Sequence, residues 1–272
     1  MYRYIFEASL RSNHLEPALD FSGKTVLVTG SGRNIGKAIL MEFAARGANV
    51  IINVKSNLDE AETVRREAEA LGAKALIVVG DTSDRKVVQT IKREAEAAFG
   101  RVEIYVSCAN RRLSKDFFET TDDDWHYFLN QQLTASWYLA KAFVPGMKEV
   151  GYGRIIHLNG PDGFHGMASR IPAAAGKGGL RILMKSLAEG LGRYGITVND
   201  INPGFARTER DFTTHPTLAD QAFVQKVIDE TPIGRQIELS EIAFAAAFLC
   251  SPRAGAITGT TIHTDGGRMM LG

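Results

Sequence analysis

Seven short runs of β-branched and other apolar residues recur along the chain, and longer stretches with the apolar spacing of a helix separate them. Strands that alternate with helices in this way form a parallel sheet that is covered on both faces. The sequence therefore predicts an α/β fold with a doubly wound, seven-stranded parallel sheet in a single domain. The predicted strands are Thr25–Thr29, Asn49–Asn53, Lys74–Val79, Ile104–Cys108, Arg154–Leu158, Thr197–Asn202 and Thr261–His263.

The intervening stretches carry start signals typical of helices. Asp59, Asp84, Asp122 and Ser240 can each accept hydrogen bonds from the free amides of a first helical turn, so we expect them to be N-caps. The predicted helices are Ile35–Arg46, Asp59–Leu71, Asp84–Phe99, Asp122–Val150, Ala173–Tyr194 and Ser240–Leu249.

The length of 272 residues suits one large domain with one core. Residues 1–21 are predicted to be an N-terminal extension, and residues 22–272 to be the domain itself. Within it, residues 205–235 interrupt the alternation. We expect them to form a partly helical, substrate-side insertion over the carboxyl ends of the strands, where ligands of such sheets bind.

Charge and hydropathy narrow the class of protein. The chain has 32 basic and 31 acidic residues with no block of like charge, which gives nucleic acid or an anionic membrane little to bind. It shows neither a signal-peptide pattern nor an apolar run as long as a membrane span. Cys108 and Cys250 lack the spacing of metal or redox motifs, so we expect buried thiols and no metal. These features predict a cytoplasmic protein whose partners are small molecules and copies of itself.

A glycine-bearing turn follows the first predicted strand and leads into a helix, with the sequence TVLVTGSGRNIG from Thr25 to Gly36. Glycines in such a turn let the backbone approach a pyrophosphate, and the helix N-terminus offers free amides and a positive dipole end. Because strand-to-helix turns favour glycine in any case, this turn alone is a weak signal for a dinucleotide.

Further motifs in the right order make the signal specific. Residues 29–36, TGSGRNIG, resemble the TGxxxGxG turn of the short-chain dehydrogenase/reductase family, with Asn34 in place of the middle glycine. GDTSD at 80–84, INPGFART at 201–208 and ITGTTIHTDGG at 257–267 are similar to the family's acidic turn, Pro-Gly segment and closing strand. The resemblance extends from about residue 22 to the C-terminus and implies a Rossmann-type fold that binds a nicotinamide cofactor.

The resemblance also implies where that cofactor lies. Asp81 would meet the adenine amino group, and the Pro-Gly segment with Thr208 would line the nicotinamide. The implied cofactor-binding residues are Gly30, Ser31, Arg33, Asn34, Ile35, Gly36, Asn53, Lys55, Ser56, Asp81, Thr82, Ala109, Asn110, Lys177, Pro203, Gly204, Phe205 and Thr208.

Charge beside the adenosine ribose decides between the two nicotinamide cofactors. An acidic residue after the second strand would bind the ribose hydroxyls and repel a 2′-phosphate, whereas a basic residue would attract it. This chain has Lys55 at that place and Arg33 in the glycine-bearing turn, which favours NADP(H). The alternative is that both residues are ordinary surface charges.

The resemblance fails where the family has its proton donor. Family members use an asparagine, a serine, a tyrosine and a lysine, and the tyrosine hydroxyl gives a proton to the developing alkoxide. Carried over to this chain, the lysine falls on Lys177, the tyrosine on Ala173, the serine on Gly160 and the asparagine on Gln132. Since two of these positions have no polar side chain, the usual proton relay cannot operate.

Four polar residues near these positions are candidates for a replacement site. Asp162 and His165 follow the fifth strand closely, and Arg111 and Arg112 follow the fourth, where they could clamp an anionic substrate. Each has a plainer alternative: Asp162 as a turn cap, His165 as an exposed side chain and the arginines as partners of surface carboxylates.

Two functional hypotheses remain open. The first is an NADP-dependent oxidoreductase with an atypical site, acting on an activated carbonyl, imine or iminium, because hydride transfer to a cationic C=N needs no strong acid. The second is a non-redox member of the family, such as a cofactor-binding sensor or scaffold, or a cyclase or lyase.

Relatives pair their two long helices across a two-fold axis, so we expect a dimer or tetramer, with Trp137, Leu139 and Phe143 among the contacts.

Overall fold

Seven parallel strands form one sheet in the order β3-β2-β1-β4-β5-β6-β7, which confirms the predicted doubly wound fold. The structure is a computed structural model that describes residues 19–110, 114–209 and 219–270. Strand order reverses between β1 and β4, and ligands of such sheets bind at this switch point. The strands are β1 Thr25–Thr29, β2 Asn49–Val54, β3 Ala75–Val79, β4 Ile104–Ser107, β5 Gly153–Leu158, β6 Ile196–Asn202 and β7 Thr261–His263.

Helices cover both faces of the sheet. They are α1 Asn34–Ala44, α2 Leu58–Ala70, α3 Arg85–Phe99, α4 Asp122–Leu129, α5 Ala135–Val150, α6 Ile171–Leu191, α7 Gln221–Asp229 and α8 Leu239–Cys250. α1, α2 and α8 bury one face of the sheet, and α3, α5 and α6 bury the other. Because both faces are buried, the strands read as continuous apolar runs instead of alternating ones.

The core corrects one expectation about subunit contacts. Leu139 and Phe143 lie in the core beneath α5, at 0% and 3% exposure, and are not available to a second subunit. Phe21, the last residue of the predicted extension, is also buried in the core. Its ring packs against that of Phe43, with centroids 4.9 Å apart. Residues 1–18 lie outside the described ranges.

The predicted helix over residues 122–150 is wrong as a single element. A π-helical turn at Asn130–Thr134 divides it, and the amide of Ala135 bonds the carbonyl of Asn130, five residues back. The extra residue turns both Gln131 and Gln132 inward, at 9% and 5% exposure. Such turns occur often at functional sites.

Only one of the four predicted N-caps is confirmed. The Asp84 carboxylate accepts the amide of Lys86, as expected. The predictions for Asp59, Asp122 and Ser240 are wrong, because each lies inside its helix and a preceding residue takes the cap. Those caps are Asn57, Thr121 and Glu238.

The predicted insertion at residues 205–235 contains α7, while residues 210–218 lie outside the described ranges. α6 begins at Ile171, two residues earlier than predicted, with Pro172 in its first turn, where the missing amide costs no hydrogen bond. No helix in the described ranges has the length and apolar character needed to cross a membrane.

One hydrogen bond ties the start of β5 to the end of α8. The hydroxyl of Tyr152 donates to the carbonyl of Cys250 at 2.7 Å. We expect Tyr152→Phe to lower the free energy of unfolding by about 1 kcal/mol, because the carbonyl loses its partner.

Denaturant unfolding measures this loss, and Tyr138→Phe is the matched control. Tyr138 is also half-buried, but its hydroxyl has no hydrogen-bond partner in the described part of the chain. Equal losses in the two variants would contradict a role for the Tyr152 hydroxyl.

Candidate active site

The turn between β1 and α1 has no room for side chains at two of its glycines. A Cβ on Gly36 would lie 2.3 Å from the carbonyl oxygen of Gly30, and a Cβ on Gly30 would lie 2.8 Å from the Cα of Ala109. The Thr29 hydroxyl fixes this approach by accepting the amides of Cys108 and Ala109 at 3.0 and 3.1 Å. The N-terminus of α1 has no side-chain cap, which leaves its amides for an anion.

A cavity of about 280 Å³ lies beside this turn, at the carboxyl ends of β1 to β4. Its position at the switch point of the sheet is where the adenosine half of a dinucleotide fits. The predicted cofactor contacts that line it are Gly30, Asn53, Lys55, Asp81, Thr82, Ala109 and Asn110.

An ion pair crosses the rim of this cavity. Lys55 Nζ lies 2.7 Å from Asp81 Oδ2, and the Lys55 side chain is 58% exposed. Burial acts to raise the pKa of Asp81, but hydrogen bonds from Lys55 and Ser83 outweigh it and hold the pKa below its ordinary value. Asp81 is therefore a carboxylate at neutral pH. The ion pair therefore places a positive charge at the rim of the cavity.

Tyr127 and Gln131, which were not among the predicted cofactor contacts, line the α4 side of the cavity. Gln131 Nε2 donates to the Tyr127 hydroxyl at 2.9 Å, and the Lys55 ammonium lies 5.3 Å from the centre of the Tyr127 ring. These residues lie far from the glycine motif in sequence. No local pattern marks them, because the π-helical turn brings Gln131 inward.

The remaining predicted cofactor residues fall into three places. Ser31, Arg33, Asn34 and Ile35 lie in the glycine-bearing turn and the start of α1, with Ser31 buried and Arg33 exposed. Ser56 follows β2 and is exposed. The segment that follows β6 carries Pro203, Gly204, Phe205 and Thr208.

Asn34 joins two of these places. Its φ of +52° lies in the left-handed region, which explains why the family has glycine here and why asparagine is tolerated. Asn34 Nδ2 donates to the carbonyl of Glu209 at 3.0 Å, and the amide of Glu209 donates to Asn34 Oδ1 at 2.8 Å. The glycine-bearing turn is thus bound to the residue after Thr208.

Lys177 is buried on α6, at 5% exposure. Its Nζ donates to the main-chain carbonyl of Asn159 at 2.8 Å. A Cβ on Gly160 would lie 3.5 Å from this Nζ, so the ammonium lies beside residue 160. Ala173 is one turn before Lys177 on the same helix and is also buried.

Asn159, which the sequence analysis missed, holds Lys177 at a second point. Its Nδ2 donates to the main-chain carbonyl of Lys177 at 3.3 Å and to Asp200 Oδ2 at 2.9 Å. Asp200 lies opposite His157 in the β5–β6 pairing, and Asp200 Oδ1 is 3.5 Å from His157 Nδ1. All of these side chains are buried, so a polar cluster supports Lys177 from inside the core.

Gln132, the residue that the resemblance matches to the family's asparagine, is held on two sides. Its Nε2 donates to Asn110 Oδ1 at 3.2 Å. A Cβ on Gly176 would lie 2.7 Å from Gln132 Oε1, so the missing side chain on α6 makes room for the longer amide. Gln132 Oε1 therefore lies beside α6 at Gly176, the residue before Lys177.

The four candidate replacements differ in their surroundings. Asp162 is 8% exposed, its Oδ2 lies 3.6 Å from Arg170 Nη1, and its Oδ1 is buried without a hydrogen bond from the described residues. His165 is exposed. Arg111 and Arg112 lie outside the described ranges.

Both cysteines are free thiols, and the description of both as buried needs correction. Cys250 is buried, while Cys108 is only half-buried. Burial raises the pKa of each thiol to about 12, partly offset by the charge of Lys177 near Cys108 and of Arg154 near Cys250. No group of three or more metal-ligating side chains exists within the described ranges.

Three buried polar side chains thus remain as candidates: the Lys177 ammonium, the Gln132 amide and the Asp162 carboxylate. Residues 160 and 173 supply no hydroxyl. Lys177 and Gln132 can orient and stabilise a polar ligand, and Asp162 can hold a proton or face a positive charge.

Comparison with known proteins places this geometry in a family. A family model described as enoyl-(acyl carrier protein) reductase matches residues 30–268. The chain is 35% identical over 245 residues to the 3-oxoacyl-(acyl-carrier-protein) reductase FabG of Haemophilus influenzae, which covers 90% of this chain and 98% of that protein. It is 34% identical over 253 residues to FabG of Escherichia coli, with coverages of 93% and 100%.

Solved structures agree. The L-sorbose reductase of Gluconobacter frateurii, complexed with NADPH and L-sorbose, has a TM-score of 0.87 and 29% identity, covering 93% of this chain and 100% of that one. A gluconate 5-dehydrogenase of Burkholderia cenocepacia, in complex with NADP and tartrate, has a TM-score of 0.84 and 30% identity, with coverages of 92% and 97%. The chain belongs to the short-chain dehydrogenase/reductase family of oxidoreductases.

Proposed function

We propose that this protein is an NADP(H)-dependent reductase of an activated carbonyl, imine or iminium compound, working without the family's tyrosine. The observation that carries this proposal is Lys177, which stays buried and doubly held beside Gly160 although Ala173 gives it no hydroxyl to act on. Burying an ammonium costs free energy of desolvation, so a lysine at this position is not explained by packing alone.

The residues present fit a dinucleotide. The close approach at Gly30 and Gly36 leaves the backbone open to a pyrophosphate, and the cavity beside Lys55 accepts an adenosine. Arg33 and Lys55 would hold the 2′-phosphate, in keeping with the NADP and NADPH in the two solved relatives. NADPH supplies a hydride when bound.

The chain's own residues then divide the remaining work. Lys177 would bind the ribose hydroxyls. The hydrogen bond from Gln132 to Asn110 would fix the Gln132 side-chain amide, which would face the substrate. The buried Oδ1 of Asp162 would stabilise a positive charge on an iminium or carry the proton that a carbonyl needs. A substrate that is already cationic needs no proton, so the loss of the tyrosine costs it little.

The loss of both hydroxyls, at residues 160 and 173, favours the non-redox alternative. A family member without an acid could bind the cofactor as a sensor or scaffold, or use the cleft for a cyclisation or elimination. Cofactor binding and turnover separate this possibility from the reductase.

We expect NADPH to bind at least about tenfold more tightly than NADH, which corresponds to about 1.4 kcal/mol. The reason is that Arg33 and Lys55 pair with the 2′-phosphate through charge-assisted hydrogen bonds. Calorimetry with both cofactors measures the difference, and Lys55→Ala should reduce it.

Lys148→Ala is the control, since Lys148 stacks on Tyr194 with its Nζ 4.4 Å from the ring centre and lies outside the predicted cofactor residues. Equal affinities for the two cofactors would overturn the assignment to NADP(H). No binding of either cofactor would favour a scaffold.

A second prediction concerns Asp162. We expect Asp162→Asn to lower kcat/KM for NADPH-dependent reduction of a simple cyclic imine, 2-methyl-1-pyrroline, by about 100-fold, because the buried carboxylate is lost at constant size. Steady-state kinetics measure the effect.

The comparison variant restores both family hydroxyls, as Gly160→Ser with Ala173→Tyr. Gly160 has an extended backbone, φ 164° and ψ 173°, so serine fits there. We expect the double variant to gain little ketone reduction. Strong ketone reduction in it, together with an unchanged Asp162→Asn, would show that Asp162 is only a turn residue.

We also propose a dimer or tetramer built on α4, α5 and α6. Trp137 and Ile182 on these helices are 46% and 62% exposed, which leaves apolar area for a partner. We expect light scattering at micromolar concentration to give a multiple of the 29.7 kDa chain mass. Trp137→Glu with Ile182→Glu should shift that mass toward the monomer, whereas a monomeric wild type would exclude the assembly.

A further inference from the structure

Asn34 and Glu209 are bound by two reciprocal hydrogen bonds although they lie 175 residues apart in sequence. Both bonds use the side-chain amide of Asn34 and the main chain of Glu209. They have ordinary lengths of 3.0 and 2.8 Å. The contact therefore fixes the path of the backbone at Glu209, whatever side chain residue 209 carries.

The turn itself does not need this side chain. At the φ of +52° observed for Asn34, glycine is at least as favourable as asparagine. What asparagine adds is the pair of bonds to Glu209. The side chain is thus explained by the segment after β6 and not by the conformation of the glycine-bearing turn.

The same segment is anchored on its other side. The amide of Ile237 donates to the carbonyl of Phe205 at 3.0 Å, and the amide of Arg207 donates to the carbonyl of Ile237 at 2.9 Å. Thr208 lies between this pairing and the bonds to Asn34. Residues 205–209 are therefore held at both ends, with Thr208 between the two sets of hydrogen bonds.

We propose that Asn34 is a positioning residue that holds Thr208 in place over the nicotinamide and pyrophosphate part of the cofactor. This inference rests on the proposed function, since it assigns Thr208 to the nicotinamide end of the cleft. Fixing residues 205–209 before the cofactor arrives lowers the conformational entropy lost on binding. The effect concerns only the nicotinamide half, because the adenosine cavity is lined by other residues.

Two ligands distinguish the nicotinamide half of the cofactor site from the adenosine half. NADPH spans the whole cleft, whereas adenosine 2′,5′-bisphosphate carries the adenine, ribose and 2′-phosphate but no nicotinamide. In Asn34→Gly we expect NADPH to bind about tenfold more weakly by calorimetry and to dissociate faster in stopped-flow fluorescence, as preorganisation is lost. The bisphosphate should keep its wild-type affinity.

Glu209→Asp is the matched control, because it keeps both the charge and the main-chain groups that bond Asn34. We expect wild-type affinity for NADPH in this variant. Hydrogen exchange of the Glu209 amide in the cofactor-free protein gives an independent measurement, and it should become faster in Asn34→Gly only.

The outcomes are distinguishable. If the wild type binds both ligands and Asn34→Gly binds NADPH normally, the positioning role of Asn34 is wrong and the proposed function stands. If Asn34→Gly weakens the binding of both ligands equally, Asn34 acts on the whole glycine-bearing turn. The proposed positioning of Thr208 is then also wrong. If the wild type binds neither ligand, the proposed function itself fails.

Discussion

The position of Lys177 in the candidate active site depends on one residue, Asn159. The main-chain carbonyl of Asn159 accepts a hydrogen bond from the Lys177 ammonium, and the Asn159 side chain donates one to the main-chain carbonyl of Lys177. These two bonds join α6 to the residue that follows β5. The side-chain amide is itself fixed by Asp200. Lys177 cannot move without breaking this arrangement, so its ammonium has a defined position even with no tyrosine beside it.

This arrangement is costly for the core. Asp200 and His157 are fully buried at paired positions of β5 and β6, on the face that α5 and α6 otherwise cover with apolar side chains. Apolar residues of similar volume at these two positions would stabilise the fold at least as well as Asp200 and His157 do. Asp200 has a different effect here, because its carboxylate keeps the Asn159 side chain oriented toward Lys177.

The fold was predictable because strand burial on both faces and the glycine-bearing turn are local patterns. All seven predicted strands begin and end within one residue of the observed bounds. The division of residues 122–150 was not, because a π-helical turn has no marked composition. Lys177, Gln132 and Asp81 follow from motifs. Tyr127, Asn159 and the Asn34–Glu209 bonds do not, since they arise from contacts between segments distant in sequence.

The two cysteines have a practical consequence. Their pKa values of about 12 keep both thiols protonated at neutral pH, and only the thiolate reacts readily with alkylating reagents. The chain has two cysteines, and the raised pKa of each slows its reaction with maleimide. A single cysteine introduced on the surface could therefore carry a fluorophore or spin label with Cys108 and Cys250 left in place.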